Sequence, residues 1–534
     1  MRTVLIPTDF SNSAMHAIDY ALNLYKCERT NFYFLHAYAD EVYGPYKTNG
    51  ESSIQVQKET VEKNTDEALK DLIQKLTARE NNPKHSYETL SAFDTLVDAV
   101  NDFVNQINVD LVIMGTKGKT ADKKITFGSH TVQVFKYVQC PVLAVPLDYK
   151  FQQPKKILFP TDYMLPYKRR ELKLLNTLAS EFKSEIHCLH LSDFDDLSTR
   201  QIDNQRFLKE SLAEAYLFFE RRPTKNKAEA IMDYIKKNNI NLLVMVNSRH
   251  SFLEDMLLPT DFSDNAWNAI FTALKLYADV PCKFIILHAY EPKAMNMLGQ
   301  KSQQRLGVIY DSLAQYSAQE LDKISAYLNQ NHNNPNHFFE TISKSDTLEG
   351  SVKDIVSNND IDLIVMGTQG VTGAKEIFMG SNTVRVLKQL KNISIIVVPK
   401  NYNFQKLKTL VFPTDYTRKF EKFGLLPMTE LTNLWNATIQ VIHVAVEFIL
   451  TDVQKTNLHI LEERLADTTY SLNEVRFDTN IVQSVEQYVN KSRADLLAMV
   501  RYHHSFWERI IEEPVVKKIA FHSMVPVLFL PGQT

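Results

Sequence analysis

The chain has 534 residues, of which 44% are hydrophobic and 23% charged, so three to five globular domains of ordinary size are expected. Its 60 Lys and Arg residues nearly balance its 63 Asp and Glu residues, and no apolar run approaches the ~18 residues of a membrane helix. We therefore expect neither a nucleic-acid partner nor a membrane partner. The 4 cysteines form no C-x-x-C pair, which argues against zinc and disulfide frameworks and favours the cytoplasm.

Four stretches of the chain open in the same way. An apolar run is followed by Pro-Thr-Asp and an aromatic residue, and in each stretch a second apolar run ends in a histidine and a third ends in a methionine. The first and third copies of Pro-Thr-Asp stand almost as far apart as the second and fourth, which predicts two kinds of segment in the order A-B-A′-B′. The predicted domains are A at 1–148, B at 153–255, A′ at 256–400 and B′ at 405–534.

Within segment A, short apolar runs alternate with amphipathic helical patterns. The run at 4–6 predicts a strand buried on both faces, as in a parallel sheet. Apolar residues from Ala14 to Tyr25 then fall on one helical face, and Ser11 or Asp9 could cap that helix. The alternation continues along the segment, which predicts right-handed βαβ units in an open α/β sheet that binds ligands at the carboxyl ends of its strands.

Glycine is scarce: 14 of the 534 residues are glycine, whereas ~7% of the residues of an average protein are. Half of these glycines lie in two windows, which share the spacing Gly-x-x-Gly, nine residues, then Gly-Ser at 115–129 and 367–381. Each window follows a predicted strand and precedes a predicted helix, where free amides and the helix dipole favour an anion. The pattern predicts a phosphate site, and the alternative is that the glycines only form tight turns. A Walker A loop is excluded because Ile113 stands where its first glycine is required.

These features together resemble the universal stress protein family, in the subclass with the motif G-2x-G-9x-G-[ST]. The opening Pro-Thr-Asp, the second strand ending in histidine and the last strand ending in Val-Pro all agree, and the resemblance covers essentially the whole chain. It implies Rossmann-like domains of the adenine nucleotide alpha hydrolase type, four in number here, each with an open parallel five-stranded sheet. It also implies ATP or a related adenine nucleotide as the ligand, with or without Mg²⁺.

The resemblance further implies which residues contact the nucleotide. In segment A, Asp9 would accept a hydrogen bond from the ribose or base, Met114 would line the adenine pocket, and the later glycine and the helix start would hold the phosphates. The implied residues of A are Pro7, Asp9, Ala37, Met114, Gly115, Lys117, Gly118, Gly128, Ser129 and His130. Those of A′ are Pro259, Asp261, Ala289, Met366, Gly367, Gln369, Gly370, Gly380, Ser381 and Asn382. Lys117 carries a charge that Gln369 lacks, so the two sites are expected to differ in affinity.

The B segments lack this glycine pattern. Segment B has no glycine at all, and in B′ Val500 stands where the first glycine of the pattern is expected. We expect neither segment to bind a nucleotide in the manner of A, and we expect Asp162 and Asp415 to cap helices instead. After Glu254 the chain runs almost directly into the first strand of A′, so B is predicted to lack its last helix and strand. The repeated His-Ser-Phe at 250–252 and 504–506 predicts a packing motif rather than a metal site.

The resulting hypothesis is a nucleotide-responsive stress or signalling protein that acts through its conformation or through protein partners. Within the chain, A is expected to pair with B and A′ with B′. Whether the chain also forms a homo-oligomer is left open. One alternative is a slow ATPase, but Lys119, Lys123 and Lys124 are all basic and no paired acid and base is evident, so we expect weak hydrolysis at most. The other alternative is a scaffold that binds no nucleotide. No catalytic residue and no metal ligand is assigned.

Overall fold

A computed structural model describes residues 1–43, 52–79, 82–116, 129–163, 167, 169–191, 197–212, 215–224, 227–246, 255–291, 301–359, 361–368, 380–390, 392–445, 448–476, 481–501 and 524–532. The chain divides into two compact units, of which the first holds the strands of segments A and B and the second those of A′ and B′. No helix in these ranges is long and apolar enough to cross a membrane.

Strands and helices alternate along segment A. They are β1 (Arg2–Pro7), α1 (Asn12–Leu24), β2 (Thr30–Ala37), α2 (Ala39–Tyr43), α3 (Ser52–Arg79), β3 (His85–Ala92), α4 (Leu96–Gln106), β4 (Leu111–Gly115), α5 (Ser129–Tyr137) and β5 (Val142–Val145). The strands form one parallel sheet in the order β3-β2-β1-β4-β5. Of the two residues predicted to cap α1, Ser11 does so, because its side chain accepts a hydrogen bond from the amide of Ala14.

Segment B repeats the same strand order without a fifth strand in its described residues. Its elements are β6 (Lys156–Pro160), α6 (Arg169–Phe182), β7 (Glu185–Leu191), α7 (Thr199–Ser211), β8 (Tyr216–Arg222), α8 (Lys227–Asn238) and β9 (Leu242–Leu243). The parallel sheet has the order β8-β7-β6-β9, and it has four strands where segment A has five. Leu178, Phe182 and Leu242 of B pack into the core on which α1 and α3 of segment A lie.

The second unit contains both A′ and B′. The elements of A′ are β10 (Asp255–Pro259), α9 (Asp264–Leu276), β11 (Cys282–Ala289), α10 (Lys301–Asn331), β12 (His337–Lys344), α11 (Leu348–Asn358), β13 (Leu363–Gly367), α12 (Ser381–Gln389) and β14 (Ser394–Val398). Those of B′ are β15 (Thr409–Thr414), α13 (Lys422–Trp435), β16 (Thr438–Ala445), α14 (Asp452–Leu465), β17 (Thr469–Arg476), α15 (Ile481–Ser492), β18 (Leu496–Val500) and β19 (Val527–Leu530).

A single ten-stranded sheet runs through the second unit, in the order β12-β11-β10-β13-β14-β19-β18-β15-β16-β17. The neighbours are parallel except at the junction of the two segments, where β14 pairs antiparallel with β19 and Ile396 lies opposite Leu528. Both strands of the junction are buried, and the cores on the two faces of the sheet contain residues of A′ and of B′. The prediction of an α/β fold with parallel sheets is therefore confirmed, whereas the periodicity gave no sign of the antiparallel junction.

Candidate functional site

The predicted site residues converge on one edge of the sheet of segment A. Pro7 ends β1, Ala37 ends β2 and Gly115 ends β4, and these three parallel strands are neighbours. The strand order reverses between β1 and β4, which is where open α/β sheets bind ligands. The counterparts in A′, at the ends of β10, β11 and β13, are Pro259, Ala289 and Gly367.

Part of the predicted set lies outside the described residues, namely Lys117, Gly118, Gly128, Gln369 and Gly370. Ser129 and Ser381 are the first residues of α5 and α12, and His130 and Asn382 follow them. Met114 and Met366 are buried near the ends of β4 and β13. The described part of the set therefore lies at the ends of three strands and at the start of one helix in each A-type segment.

A tight turn fixes the aspartate that follows β1. The carboxylate oxygen Oδ1 of Asp9 accepts a hydrogen bond from the amide of Ser11 at 3.0 Å, and Oγ1 of Thr8 accepts one from the amide of Phe10 at 3.0 Å. Phe10 takes the left-handed conformation with φ of 59°. The same bonds recur after β10, where Asp261 accepts from Ser263, so both aspartates are held at the strand end by their own backbone.

The histidine that ends the second apolar run has a structural role. Nδ1 of His36 lies 2.6 Å from the carbonyl oxygen of Thr8, and its ring lies 5.0 Å from that of Phe10. In B and B′ the rings of His190 and His443 make the same two contacts with the Pro-Thr-Asp turn. Because the B segments lack the glycine pattern, this contact belongs to the fold rather than to a nucleotide site.

The first glycine of each pattern is required by packing. A Cβ atom added at Gly115 would lie 2.7 Å from the carbonyl oxygen of Ser13 in α1. A Cβ atom at Gly367 would lie 2.8 Å from Cγ of Asn265 in α9. No real Cβ approaches backbone or branched side-chain atoms so closely, so only glycine allows the helix to pack on the strand end. Packing alone therefore explains why these two positions are glycine, without any contact to a ligand.

A threonine that the sequence reasoning did not assign to the site holds each helix start against the strand end. Oγ1 of Thr131 donates to the carbonyl oxygen of Gly115 at 3.3 Å, and Oγ1 of Thr383 donates to that of Gly367 at 3.1 Å. The signal was available, because both windows continue as Gly-Ser-x-Thr. Gly380 is the N-cap of α12, and its amide donates to the carbonyl oxygen of Thr368, the residue after β13, at 2.6 Å. A glycine provides no side-chain cap for the first amides of this helix.

Charge distinguishes the two helix starts. Nε2 of His130 lies 3.5 Å from Oδ2 of Asp40, and this contact, with a smaller contribution from the charge of Asp9, raises the pKa of His130. The imidazole is 57% exposed, so it can reach a ligand while it carries a proton. Asn382 stands in this position in A′ and has no charge.

In the B segments, side chains of the second helix, α7 in B and α14 in B′, bind the turn after the first strand. Nε2 of Gln454 donates to the carbonyl oxygen of Asp415 at 2.8 Å, and Nδ2 of Asn457 donates to that of Tyr416 at 2.9 Å. In B the same bonds run from Gln201 to Asp162 and from Asn204 to Tyr163. The expectation that Asp415 caps a helix is wrong, because the N-cap of α13 is Glu421 and the Asp415 carboxylate instead accepts from Thr417.

No group of three or more His, Cys, Asp or Glu side chains could hold a metal ion in the parts of the chain that the structure describes. The repeated His-Ser-Phe and the lysines at 119, 123 and 124 lie outside those parts.

Comparison with known proteins matches the A-type segments to one family model. The model of the Universal stress protein family matches residues 1–146 and 254–399. Universal stress protein MJ0531 of Methanocaldococcus jannaschii is 30% identical over 155 residues, which make up 29% of this chain and 84% of that protein. A solved universal stress protein from Archaeoglobus fulgidus is 17% identical, with 52% of this chain and 97% of that chain covered and a TM-score of 0.38. UspA from Lactobacillus plantarum is 20% identical, with 27% and 97% covered and a TM-score of 0.23.

Proposed function

Since this chain belongs to the universal stress protein family, we propose that segments A and A′ each bind ATP or a related adenine nucleotide. The protein then acts as a nucleotide-responsive stress or signalling protein, through its conformation or through protein partners. The observation that carries this proposal is the position of Gly380, the N-cap of α12, beside the carboxyl ends of the central strands of its sheet. An uncapped helix start at that edge favours the phosphates of a nucleotide.

In this proposal, different residues bind different parts of the nucleotide. Asp9 and Asp261, fixed by their turns, accept a hydrogen bond from the ribose or base. Ala37 and Ala289 line the adenine pocket beside the strand ends. The amides at the starts of α5 and α12 hold the phosphates together with Gly128 and Gly380. Lys117 and Gly118 in A, and Gln369 and Gly370 in A′, contact the ribose and phosphates. His130 adds a positive charge in A that Asn382 cannot supply in A′, so A is the tighter of the two sites.

We also propose that the chain comprises four domains at 1–148, 153–255, 256–400 and 405–534, and that only the first and third bind nucleotide. The recurrence of one strand order in every segment supports this division. The bonds of Gln201 and Gln454 to the turn in the B segments support their loss of the site, because these side chains bind carbonyls at the sheet edge. The free thiols of all four cysteines fit the cytoplasm as the setting.

Mass spectrometry of the ligand released from the purified protein tests the proposal most directly. An adenine nucleotide at up to two per chain is expected, and ATP added to nucleotide-free protein should raise its melting temperature. The variant with Gly128→Glu and Gly380→Glu should lose both effects, because a carboxylate would repel the phosphates. Gly424→Glu is the matched control, since a Cβ there meets no atom closer than 3.6 Å and the site is distant in sequence. Normal ATP affinity of the double variant would show that the pocket is wrongly assigned, and steady ATP turnover would favour the ATPase alternative.

A further inference from the structure

The first unit contains two sheet edges whose counterparts in the second unit are covered. In the described residues, β5 is the last strand of the sheet of A, and β9 is the last strand of the sheet of B. Their counterparts β14 and β18 lie on the two sides of β19, which is antiparallel to β14 and parallel to β18. Among the residues that the structure describes, the same pair of edges thus occurs twice, and only the pair in the second unit has a strand between its members.

Equivalent hydrogen bonds hold the two segments together in each unit. Oη of Tyr149, four residues after β5, donates to the carbonyl oxygen of Asn241, which immediately precedes β9, at 3.0 Å. Oη of Tyr402, four residues after β14, donates to the carbonyl oxygen of Asp495, which immediately precedes β18, at 3.0 Å. The segments of each unit therefore meet in the same way at this end.

The side chains that border this place are exposed in the first unit and buried in the second. Met245, just after β9, is 66% exposed, whereas its counterpart Met499 in β18 is 2% exposed. Leu243 is 38% exposed and its counterpart Leu497 is fully buried. On the other side, Val142, Leu143 and Ala144 of β5 are half-buried, and the corresponding residues 395–397 of β14 are buried. Apolar side chains that the second unit covers with β19 are thus left in contact with water.

We propose that the strand slot, defined by β5 and residues 242–246, binds an extended segment of another protein with apolar side chains on both faces. The bound segment runs antiparallel to β5 and parallel to β9, as β19 does between β14 and β18. It must have two free edges, because it pairs with a strand on each side. A β5 strand from a second copy of this chain has one edge already paired with β4, so it cannot enter. This proposal does not depend on nucleotide binding.

The backbone of β5 is suited to this addition. The carbonyl oxygens of Pro141 and Val145 accept hydrogen bonds from Val112 and Thr116, at the ends of the β4–β5 pair. Because alternate residues of a strand direct their backbone groups to opposite sides, Val142 and Ala144 present an amide and a carbonyl towards the slot. The corresponding residue of β14, Val397, is paired with Val527 of β19.

A peptide that copies the strand of the second unit tests the proposal. The probe is a fluorescein-labelled peptide of residues 524–532, Met-Val-Pro-Val-Leu-Phe-Leu-Pro-Gly, titrated with the full chain and followed by fluorescence anisotropy. Saturable binding is expected. Met245→Glu should weaken it at least tenfold, because the charge would be buried against the peptide. Met232→Glu is the matched control, since Met232 is 52% exposed on α8 outside the slot, and it should bind as the unmodified chain does.

A second variant removes a hydrogen bond without adding a charge. Ala144→Pro deletes the amide that faces the slot while the bonds of β5 to β4 remain, because proline is tolerated on an edge strand. It should also weaken peptide binding, and amide exchange should show protection of Val142 and Ala144 only with peptide present. Absence of saturable binding, or equal binding by Met245→Glu and the unmodified chain, would overturn the proposal. A dimer of the full chain that Met245→Glu dissociates would overturn it as well, since a second copy would then occupy the slot.

Discussion

The guanidinium of Arg501 donates a hydrogen bond to the carbonyl oxygen of Leu387 at 3.2 Å. Arg501 follows β18 in segment B′, and Leu387 lies in the last turn of α12 in A′. The same guanidinium also donates to the carbonyl oxygens of Leu390, Ile393 and Leu530, and Arg501 is 5% exposed. Burial lowers the pKa of Arg501, while the negative end of the helix dipole favours its charge. Arg501 therefore joins B′ to the helix whose other end is the proposed phosphate site.

Arg501→Met should destabilise the second unit. The methionine would leave several buried carbonyl groups without a donor, at a cost of about 1–3 kcal/mol in the free energy of unfolding. Urea unfolding followed by tryptophan fluorescence measures this loss, since Trp267 and Trp435 both lie in the second unit. Arg493→Met, at an exposed position next to β18, is the control and should leave the urea midpoint unchanged. An unchanged midpoint for Arg501→Met would contradict the assigned role.

Gly367→Ala should destabilise the fold even when no nucleotide is present. The added Cβ would meet the side chain of Asn265, and such overpacking costs about 1–3 kcal/mol. In the helix α13, Gly424→Ala meets no close contact and should be neutral or stabilising by about 0.5–1 kcal/mol. Melting temperatures of the nucleotide-free variants measure both changes. Adding Asn265→Ala to Gly367→Ala should restore part of the loss, and no recovery would show that the clash is not its cause.

The stability of the first unit should depend on the protonation of Glu181. Burial, and a hydrogen bond that the protonated Glu181 carboxyl donates to the neighbouring Glu28 carboxylate, raise the pKa of Glu181 from its ordinary 4.5 to about 8. A carboxyl whose pKa is higher in the folded state keeps its proton there while the unfolded chain loses it, so its contribution to stability falls as the pH rises from 4.5 to about 8. Glu181→Gln removes this dependence, because the amide stays neutral.

Urea unfolding of the wild type and of Glu181→Gln at pH 5, 6.5 and 8 gives the comparison. The free energy of unfolding of Glu181→Gln relative to the wild type should increase with each rise in pH. Glu67→Gln, which changes an exposed residue of α3, should show no such trend. A constant difference across this range would show that Glu181 titrates normally in the folded protein.

The ATP affinity of segment A should fall as the pH rises through the raised pKa of His130. The protonated imidazole attracts phosphate, and it loses its charge above that pKa. In a Gly380→Glu background, which isolates segment A, His130→Asn should weaken ATP binding several-fold at pH 6 and much less at pH 8. Isothermal titration calorimetry at both pH values measures the difference. Asn382→His in a Gly128→Glu background should add a pH dependence to ATP binding in A′, and an effect of His130→Asn that is equal at both pH values would point to a role other than charge.

The sequence predicted the features of this fold that depend on nearby residues. Alternating apolar runs identified the strands, and Ser11 was one of two candidates for the cap of α1 because capping depends on residues within one turn. The junction of β14 with β19 was not predictable, because periodicity says nothing about which distant strand lies beside another. The four acceptors of Arg501 were hidden for the same reason, since they come from two segments.

The sequence predicted where the candidate site lies, but not the contacts that its residues make. Repeated glycine spacing in a glycine-poor chain located the sheet edge at which Pro7, Ala37 and Gly115 lie together. The reason for the first glycine was not visible, because Ser13 and Asn265 approach it only in the folded protein. Both windows continue as Gly-Ser-x-Thr, but Thr131 and Thr383 were missed because a threonine at a helix start is common and the pattern does not show its hydrogen bond to the strand end.

The central position of β19 also has a consequence for synthesis on the ribosome. This strand is sixth in the ten-stranded sheet, yet it follows every other strand of that sheet in the chain. Until its residues leave the exit tunnel, β14 and β18 each lack a neighbour on one side, and their apolar edges are open to other nascent chains. The interval between the emergence of β14 and that of β19 from the exit tunnel is therefore when the second unit is most open to such contacts.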